Sequence, residues 1–299
     1  MTGLTVQTTI ESELDRARQR LLVAPFCPPT REANLLLGHI LGLDEAQLLA
    51  HDSEPLAPAA ELEFARLLER RLLGEPVAYL VGTKEFYGYT FQVDRRVLIP
   101  RPETEHLIGA ALSLGLPDRA RILDLGTGSG CIAVTLALEL PSARITAVDL
   151  SLGALVVAAA NADRHGVGDR VHFAAAHLTT GLALEYFDLI VSNPPYIGPE
   201  ELESLSTEIR HFEPELALIA PLDSLSVLTS IMRQCSRVRT APPLVLEIGY
   251  GQLDDLSQLA ERMHFQVTTV IEDYSGIPRT LVLDRSAASK ASNSSAVGN

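Results

Sequence analysis

Arg121-Ile122-Leu123-Asp124-Leu125-Gly126-Thr127-Gly128-Ser129-Gly130-Cys131 is the stretch from which the rest of the chain can be read. Five residues suited to a buried strand run into three alternate glycines, and an apolar segment of helical length follows to Leu140. A strand that becomes a helix through glycines lets a ligand lie against the backbone, beside the free N–H groups of the helix N-terminus. A dinucleotide fingerprint asks for Gly or Ala where this chain has Cys131, so Gly126, Thr127, Gly128, Ser129 and Gly130 suit a different nucleoside ligand.

Working outward, Arg144 to Val148 predicts a second strand that ends at Asp149, and a helix follows over 152–165. Val171-His172-Phe173-Ala174, the run 187–192 and Pro243 to Ile248 predict three more strands. Phe265–Ile271 and Thr280–Asp284 read as a closing antiparallel pair. Alternating strands and helices imply an α/β fold with a doubly wound, mostly parallel sheet. A carboxylate at the end of the second strand can accept both hydroxyls of a ribose, which makes Asp149 a cofactor candidate. The competing reading of Asp149 is a helix N-cap.

The fourth strand runs into Asn193-Pro194-Pro195-Tyr196. Two prolines stop the strand and stiffen the turn. Prolines lack N–H groups, so the turn offers a side-chain amide, carbonyl acceptors and one aromatic ring. That set suits a planar NH2 group: two acceptors for its two hydrogens and a ring to lie against. An ordinary proline-rich strand exit is the bland alternative. Against it stands convergence, because the glycine loop, Asp149 and this turn would end neighbouring strands at one sheet edge, where open α/β sheets hold their ligands.

Residues 1–75 read as four short helices in a small bundle. Thr8 and Glu11 make a capping box before Leu14, Ala17, Leu21 and Leu22. Gly42 ends the second helix, Asp44 caps the third, and the fourth turns Leu62, Ala65, Leu68 and Leu72 inward. Arg70-Arg71 reads as the solvated end of that helix, or as a contact to a substrate backbone. Residues 76–100 read as a β-hairpin linker built from Val77–Gly82 and Tyr89–Val93. In Leu98-Ile99-Pro100-Arg101-Pro102-Glu103-Thr104-Glu105 two prolines bracket an arginine. This is either a helix start with dipole-favoured acids or a rigid loop beside the site, with Arg101 and Glu103 as substrate-binding candidates. The catalytic domain is expected over 101–285, and a Ser-, Ala- and Asn-rich tail over 286–299 reads as disordered.

The 299 residues carry a net charge of −14, which argues against a general phosphate-binding surface. Three distant cysteines, Cys27, Cys131 and Cys235, suggest free thiols in a reducing compartment, and the eight histidines show no metal-ligand spacing. Without a signal peptide or an apolar run of membrane length, a cytoplasmic protein is expected, with no membrane partner. Cys131 opens a helix, which can lower a thiol pKa, but packing under the loop is the favoured reading.

Together these stretches resemble class I S-adenosylmethionine-dependent methyltransferases of the peptide chain release factor N5-glutamine methyltransferase family. The similarity covers about 70–284. It is carried by Gly74-Glu75-Pro76-Val77-Ala78-Tyr79-Leu80, Leu98 to Glu105, Asp124 to Gly130, Asn193 to Tyr196, Phe212-Glu213-Pro214-Glu215-Leu216-Ala217-Leu218 and Glu247-Ile248-Gly249. The Asn-Pro-Pro-Tyr turn is shared with adenine-N6 and guanine-N2 methyltransferases; the Arg101 and Glu213 stretches are more specific.

The resemblance implies a seven-stranded Rossmann-like methyltransferase domain and a helical substrate-recognition domain. It implies S-adenosylmethionine as cofactor, S-adenosylhomocysteine as product, no metal, and the glutamine of a release factor Gly-Gly-Gln loop as substrate. It places the glycine loop on the cofactor's amino-acid end and Asp149 on its ribose. Asn193, Pro194 and Tyr196 become the catalytic candidates, and with Pro195 they hold the substrate. Where the family often has an acid after the third strand, this chain has His177 and Leu178; they become the adenine candidates, with surface-loop residues as the alternative. A nucleic-acid base methyltransferase is the second reading, disfavoured by the charge. A non-catalytic nucleotide-binding module is the third.

Overall fold

A computed structural model describes residues 8–24 and 28–285. The expected tail over 286–299 and Cys27 lie outside the described residues. The chain forms two compact units. The first holds the residues up to Thr83 together with Ser206–Phe212, and the second holds Lys84–Leu205 and the residues from Glu213 onward.

The first unit contains α1 (Ile10–Leu21), α2 (Pro29–Leu41), α3 (Glu45–Ala50), α4 (Pro58–Leu72) and α5 (Val77–Val81). The capping box of α1 falls one residue later than the sequence suggests. Thr9 Oγ1 accepts from the Ser12 N–H and Ser12 Oγ from the Thr9 N–H, at 3.2 and 2.9 Å. Gly42 closes α2 at φ 67°, and Asp44 caps α3, as the residue types foretell. In α4 the apolar face is rotated from the expected one: Phe64, Leu67 and Leu68 are buried, whereas Leu62 is exposed. Phe64 removes the larger apolar area from water, and burying it sets the phase of the helix.

Arg71 belongs to the buried face of α4 and is neither solvated nor free for a substrate. Its guanidinium meets Glu32 at 2.5 and 3.0 Å and Glu208 at 2.7 Å, and donates to the Glu75 carbonyl at 3.3 Å. A fully buried cation needs such partners on several sides. Arg70 instead grips Glu75 through two hydrogen bonds, at 2.8 and 2.9 Å. The strand expected over Val77–Gly82 is the helix α5. Pro76 precedes it, Gly82 closes it at φ 73°, and Leu80 packs into the helical core. The hairpin is shorter and later, β1 (Thr83–Phe86) and β2 (Tyr89–Gln92).

After a 3-10 turn over Pro102–Thr104 come α6 (Glu105–Ser113), β3 (Arg121–Leu125), α7 (Cys131–Glu139), β4 (Arg144–Asp149), α8 (Leu152–Arg164), β5 (Val171–Ala175) and β6 (Leu189–Ser192). Then follow α9 (Thr207–Phe212), which belongs to the first unit, α10 (Glu215–Leu218), α11 (Ser226–Ser236), β7 (Leu244–Glu247), α12 (Leu253–Arg262), β8 (Phe265–Glu272) and β9 (Pro278–Arg285).

Seven strands form one sheet in the order β5-β4-β3-β6-β7-β9-β8. The first five are parallel, and β9 joins antiparallel on both sides. Strands β6 and β7 are buried along their whole length, because helices cover both faces. Alternate residues feed two cores. Ile122, Leu189, Val191 and Val245 pack with α6 and α7, while Leu123, Ile190, Leu244 and Leu246 pack with α11 and α12. The order reverses between β3 and β6, so the crevice of the sheet opens where the glycine loop and the Asn193 turn leave it.

Candidate active site

The three glycines of the loop after β3 do different jobs. All have positive φ: Gly126 71°, Gly128 55° and Gly130 80°. A Cβ on Gly126 would meet nothing within 4 Å, and one on Gly128 only the Gly126 carbonyl at 4.0 Å, so both leave room for a ligand. At Gly130 a Cβ would lie 3.0 Å from Ala158 Cβ, so this glycine serves the approach of α7 to α8. Thr127 and Ser129 are buried and sit under the loop. Thr127 Oγ1 donates to Asp124 Oδ2 at 2.6 Å, and the Ser129 carbonyl accepts from Asn161 Nδ2 at 2.8 Å.

Asp149 ends β4 and accepts from the N–H groups of Gly128 and Ser151, at 2.9 and 2.8 Å. The N-cap of α8 is Ser151, which resolves the two readings of Asp149 against a capping role. Each carboxylate oxygen keeps a lone pair for another donor. Asp124 is fully buried. Burial pushes its pKa up to about 7, opposed by the Thr127 hydrogen bond and reinforced by the Asp149 charge.

A cavity of about 1140 Å³ is lined by Gly126, Gly128, Asp149, His177, Leu178, Asn193 and Pro195, with further apolar residues from Leu216 to Leu225. Leu178 holds the left-handed conformation, φ 52°, which a branched side chain seldom adopts outside a site that demands it. Asp124, Thr127, Ser129, Gly130, Pro194, Tyr196, Arg101 and Glu103 do not line this cavity.

Asn193 is half-buried one residue past β6, and its Nδ2 donates to Thr104 Oγ1 at 3.1 Å. Thr104 Oγ1 donates to Glu247 Oε2 at 2.6 Å, and the Tyr196 hydroxyl donates to Glu247 Oε1 at 3.2 Å. Glu247, the last residue of β7, is buried, and burial pushes its pKa up to about 7 despite these two hydrogen bonds. Burial and the Glu247 charge push the Tyr196 phenol well above its ordinary range. Gly249 lets the Tyr196 ring sit close: a Cβ there would be 3.0 Å from Cδ2 of the ring. Gln252 ties the turn down by donating to the Tyr196 carbonyl at 3.1 Å.

Arg101 is committed to Glu213 at 2.5 Å, and the second Glu213 oxygen accepts the Ile99 N–H at 3.1 Å. The pair thus clamps the proline-bracketed loop. Glu103 lies near enough to Glu247 to raise its pKa. Cys131 is buried, and its thiol is pushed up to about 12, which makes it inert. Sequence reasoning missed Thr104, Glu213, Glu247 and Gln252 as site-shaping residues. Three of them stand inside the quoted motif stretches, so the signal was present without a role attached.

Residues 14–82 match the PrmC N-terminal domain model, and 108–209 match the methyltransferase small domain model. The release factor glutamine methyltransferase of Chlorobaculum tepidum is 43% identical over 264 residues, covering 85% of this chain and 89% of that protein. The chain belongs to the release factor glutamine methyltransferase family. The namesake from Nitratidesulfovibrio vulgaris is 39% identical over 94% of this chain and 97% of its own length, and that from Bordetella pertussis 43% identical over 84% and 93%. Among solved structures, the hMettl16 catalytic domain aligns with a TM-score of 0.52 at 14% identity over 77% of this chain and 81% of its own. That likeness shows the fold alone. For this family member, no helix among the described residues is long and apolar enough to cross a membrane. Nor do the described residues gather three or more His, Cys, Asp or Glu side chains as a metal would need.

The donor set fits S-adenosylmethionine, the methyl donor that the family uses. Two open glycines and the N-terminus of α7 suit a carboxylate, and Asp149 suits a diol.

Proposed function

We propose that the chain transfers a methyl group to the side-chain amide nitrogen, N5, of the glutamine in the Gly-Gly-Gln loop of peptide chain release factors. One observation carries this reading. Asn193 lines the same cavity as Gly126, Gly128 and Asp149, and its amide NH2 is held by Thr104, so its oxygen is the free end. When bound, S-adenosylmethionine supplies a sulfonium methyl; an N–CH3 bond forms as the S–CH3 bond breaks, S-adenosylhomocysteine leaves, and the amide nitrogen gives up one proton.

An amide nitrogen is a poor nucleophile because its lone pair is spread onto the carbonyl. Asn193 Oδ1 and the Pro194 carbonyl accept the two N–H bonds, orient the nitrogen and favour a pyramidal geometry. Tyr196, fixed by Glu247, Gln252 and the bare backbone of Gly249, packs on the glutamine side chain. Alignment of this kind is worth about 7–11 kcal/mol in intramolecular reactions. Gly126 to Gly130 receive the cofactor's amino-acid end, and Asp149 accepts from the ribose. His177 and the strained Leu178 take the adenine. Arg101 and Glu103 act on the loop that borders the substrate, Arg101 through Glu213. The net charge of −14 supports a protein substrate in place of a nucleic acid, and the buried thiols Cys131 and Cys235 suit a cytoplasmic enzyme without metal.

The test is methylation of a purified release factor, read by peptide mass spectrometry. One methyl is expected on the Gly-Gly-Gln glutamine. With Asn193→Ala turnover should drop at least about 100-fold while S-adenosylhomocysteine still binds. Full turnover by that variant would sink the assignment.

A further inference from the structure

The amide of Asn193 can present either its oxygen or its NH2 to the cavity, and only the oxygen accepts a substrate N–H. Thr104 decides which. It is buried at the end of the 3-10 turn before α6, and its hydroxyl has one hydrogen. That hydrogen is given to Glu247 Oε2 at 2.6 Å, a carboxylate with no donor of its own when ionised. Only lone pairs of Thr104 Oγ1 remain to face Asn193, and a lone pair can meet an NH2 but not a carbonyl oxygen. With Glu247 ionised, Nδ2 of Asn193 therefore turns to Thr104, at 3.1 Å, and Oδ1 turns away from it. Glu247 is itself fixed from the other side by the Tyr196 hydroxyl at 3.2 Å, so the same carboxylate holds both side chains of the amide-binding turn.

We propose that Thr104 and ionised Glu247 are positioning residues that set the hydrogen-bond polarity of Asn193, so that the reactive turn offers the substrate amide an acceptor. This rests on the role given to Asn193 above. The logic is chemical and does not depend on which end of the Asn193 amide is drawn as nitrogen. It also explains why residues 143 positions apart in the chain meet at this place.

The experiment measures kcat, the KM for a release factor and the Kd for S-adenosylhomocysteine in full-length Thr104→Val, Thr104→Ala and Thr104→Ser, with Asn193→Ala alongside. Valine keeps the shape and removes the hydroxyl. Alanine leaves a gap for a water, which both donates and accepts and so chooses no polarity; it serves if the valine variant does not fold. The expected result is a fall in kcat of roughly 10- to 100-fold for valine and alanine, the scale of one lost hydrogen-bond constraint to a charged group. KM and the Kd should stay within about 3-fold, and serine should restore kcat to within about 3-fold of the parent. Wild-type kcat in either folded hydroxyl-free variant overturns the proposal. So does a loss that serine does not rescue, or an equal loss of S-adenosylhomocysteine affinity. Full turnover in Asn193→Ala is a separate failure, that of the parent reading.

Discussion

Two buried carboxylates flank the strand that carries Asn193. Asp124 lies in β3 on one side of β6, and Glu247 ends β7 on the other. Burial pushes both up to about 7. Their hydrogen bonding differs. Asp124 is held by the Thr127 hydroxyl and favoured in its charged form by the Ala133 N–H, both near in sequence, whereas both oxygens of Glu247 are engaged by side chains remote from it, Thr104 and Tyr196. A buried acceptor that is fully used fixes its neighbours. Asp124 is fully buried, does not line the cavity and holds the glycine loop through Thr127, whereas Glu247 fixes the Asn193 turn, though residue type, burial and strand position are nearly the same.

The largest expected effect concerns stability against pH. Each carboxylate has a folded pKa above its ordinary value, 3.8 for Asp124 and 4.5 for Glu247. The folded state therefore keeps a proton that the unfolded state has already lost. The stabilising contribution is full below about pH 4 and disappears as pH rises through about 7, on the order of 3–4 kcal/mol per group. Urea midpoints between pH 4 and 8 should fall with rising pH in the parent, and Asp124→Asn and Glu247→Gln should each flatten the slope by its own share. Slopes unchanged in both variants would remove the premise that the two groups share a burial.

Ligand binding should then separate them. By calorimetry Asp124→Asn, which loosens the Thr127 bond under the glycine loop, should weaken S-adenosylhomocysteine about 10-fold, and Glu247→Gln by less than about 2-fold. Equal losses would erase the distinction. The smallest effect sharpens it from the backbone. Gly249→Ala pushes on the Tyr196 ring and should lower kcat a few-fold with an overpacking cost of about 1 kcal/mol, leaving cofactor affinity unchanged. Gly126→Ala, with empty space around its Cβ but φ at 71°, should instead be read mainly in cofactor affinity.

The glycine loop and Asp149 were legible in the sequence; a role for Asp124 or for Glu247 was not. The glycines and Asp149 come at the ends of strands whose apolar runs announce them, and the bond between Asp124 and Thr127 spans only three residues. The doubly wound, mostly parallel class follows from the alternation of strands and helices, but the order of the strands does not. Thr104 and Glu247 meet only after the whole sheet has formed, so no short spacing encodes their bond. The same limit explains the helical unit. Val77–Val81 carries residues with strand propensity, yet Pro76, Gly82 and the packing of Leu80 make it a helix. Arg71 reads as a surface arginine because its partners Glu32 and Glu208 are remote in the chain.

That last ion pair has a consequence for modularity. Helix α9 is encoded between two catalytic-unit segments, yet it is grouped with the N-terminal helices and supplies Glu208 to the fully buried Arg71. The helical unit is thus discontinuous in the gene. It cannot be excised or exchanged between relatives as one N-terminal cassette, because a graft that stops at residue 83 would leave behind a helix of the donor and import an arginine that keeps Glu32 but loses Glu208.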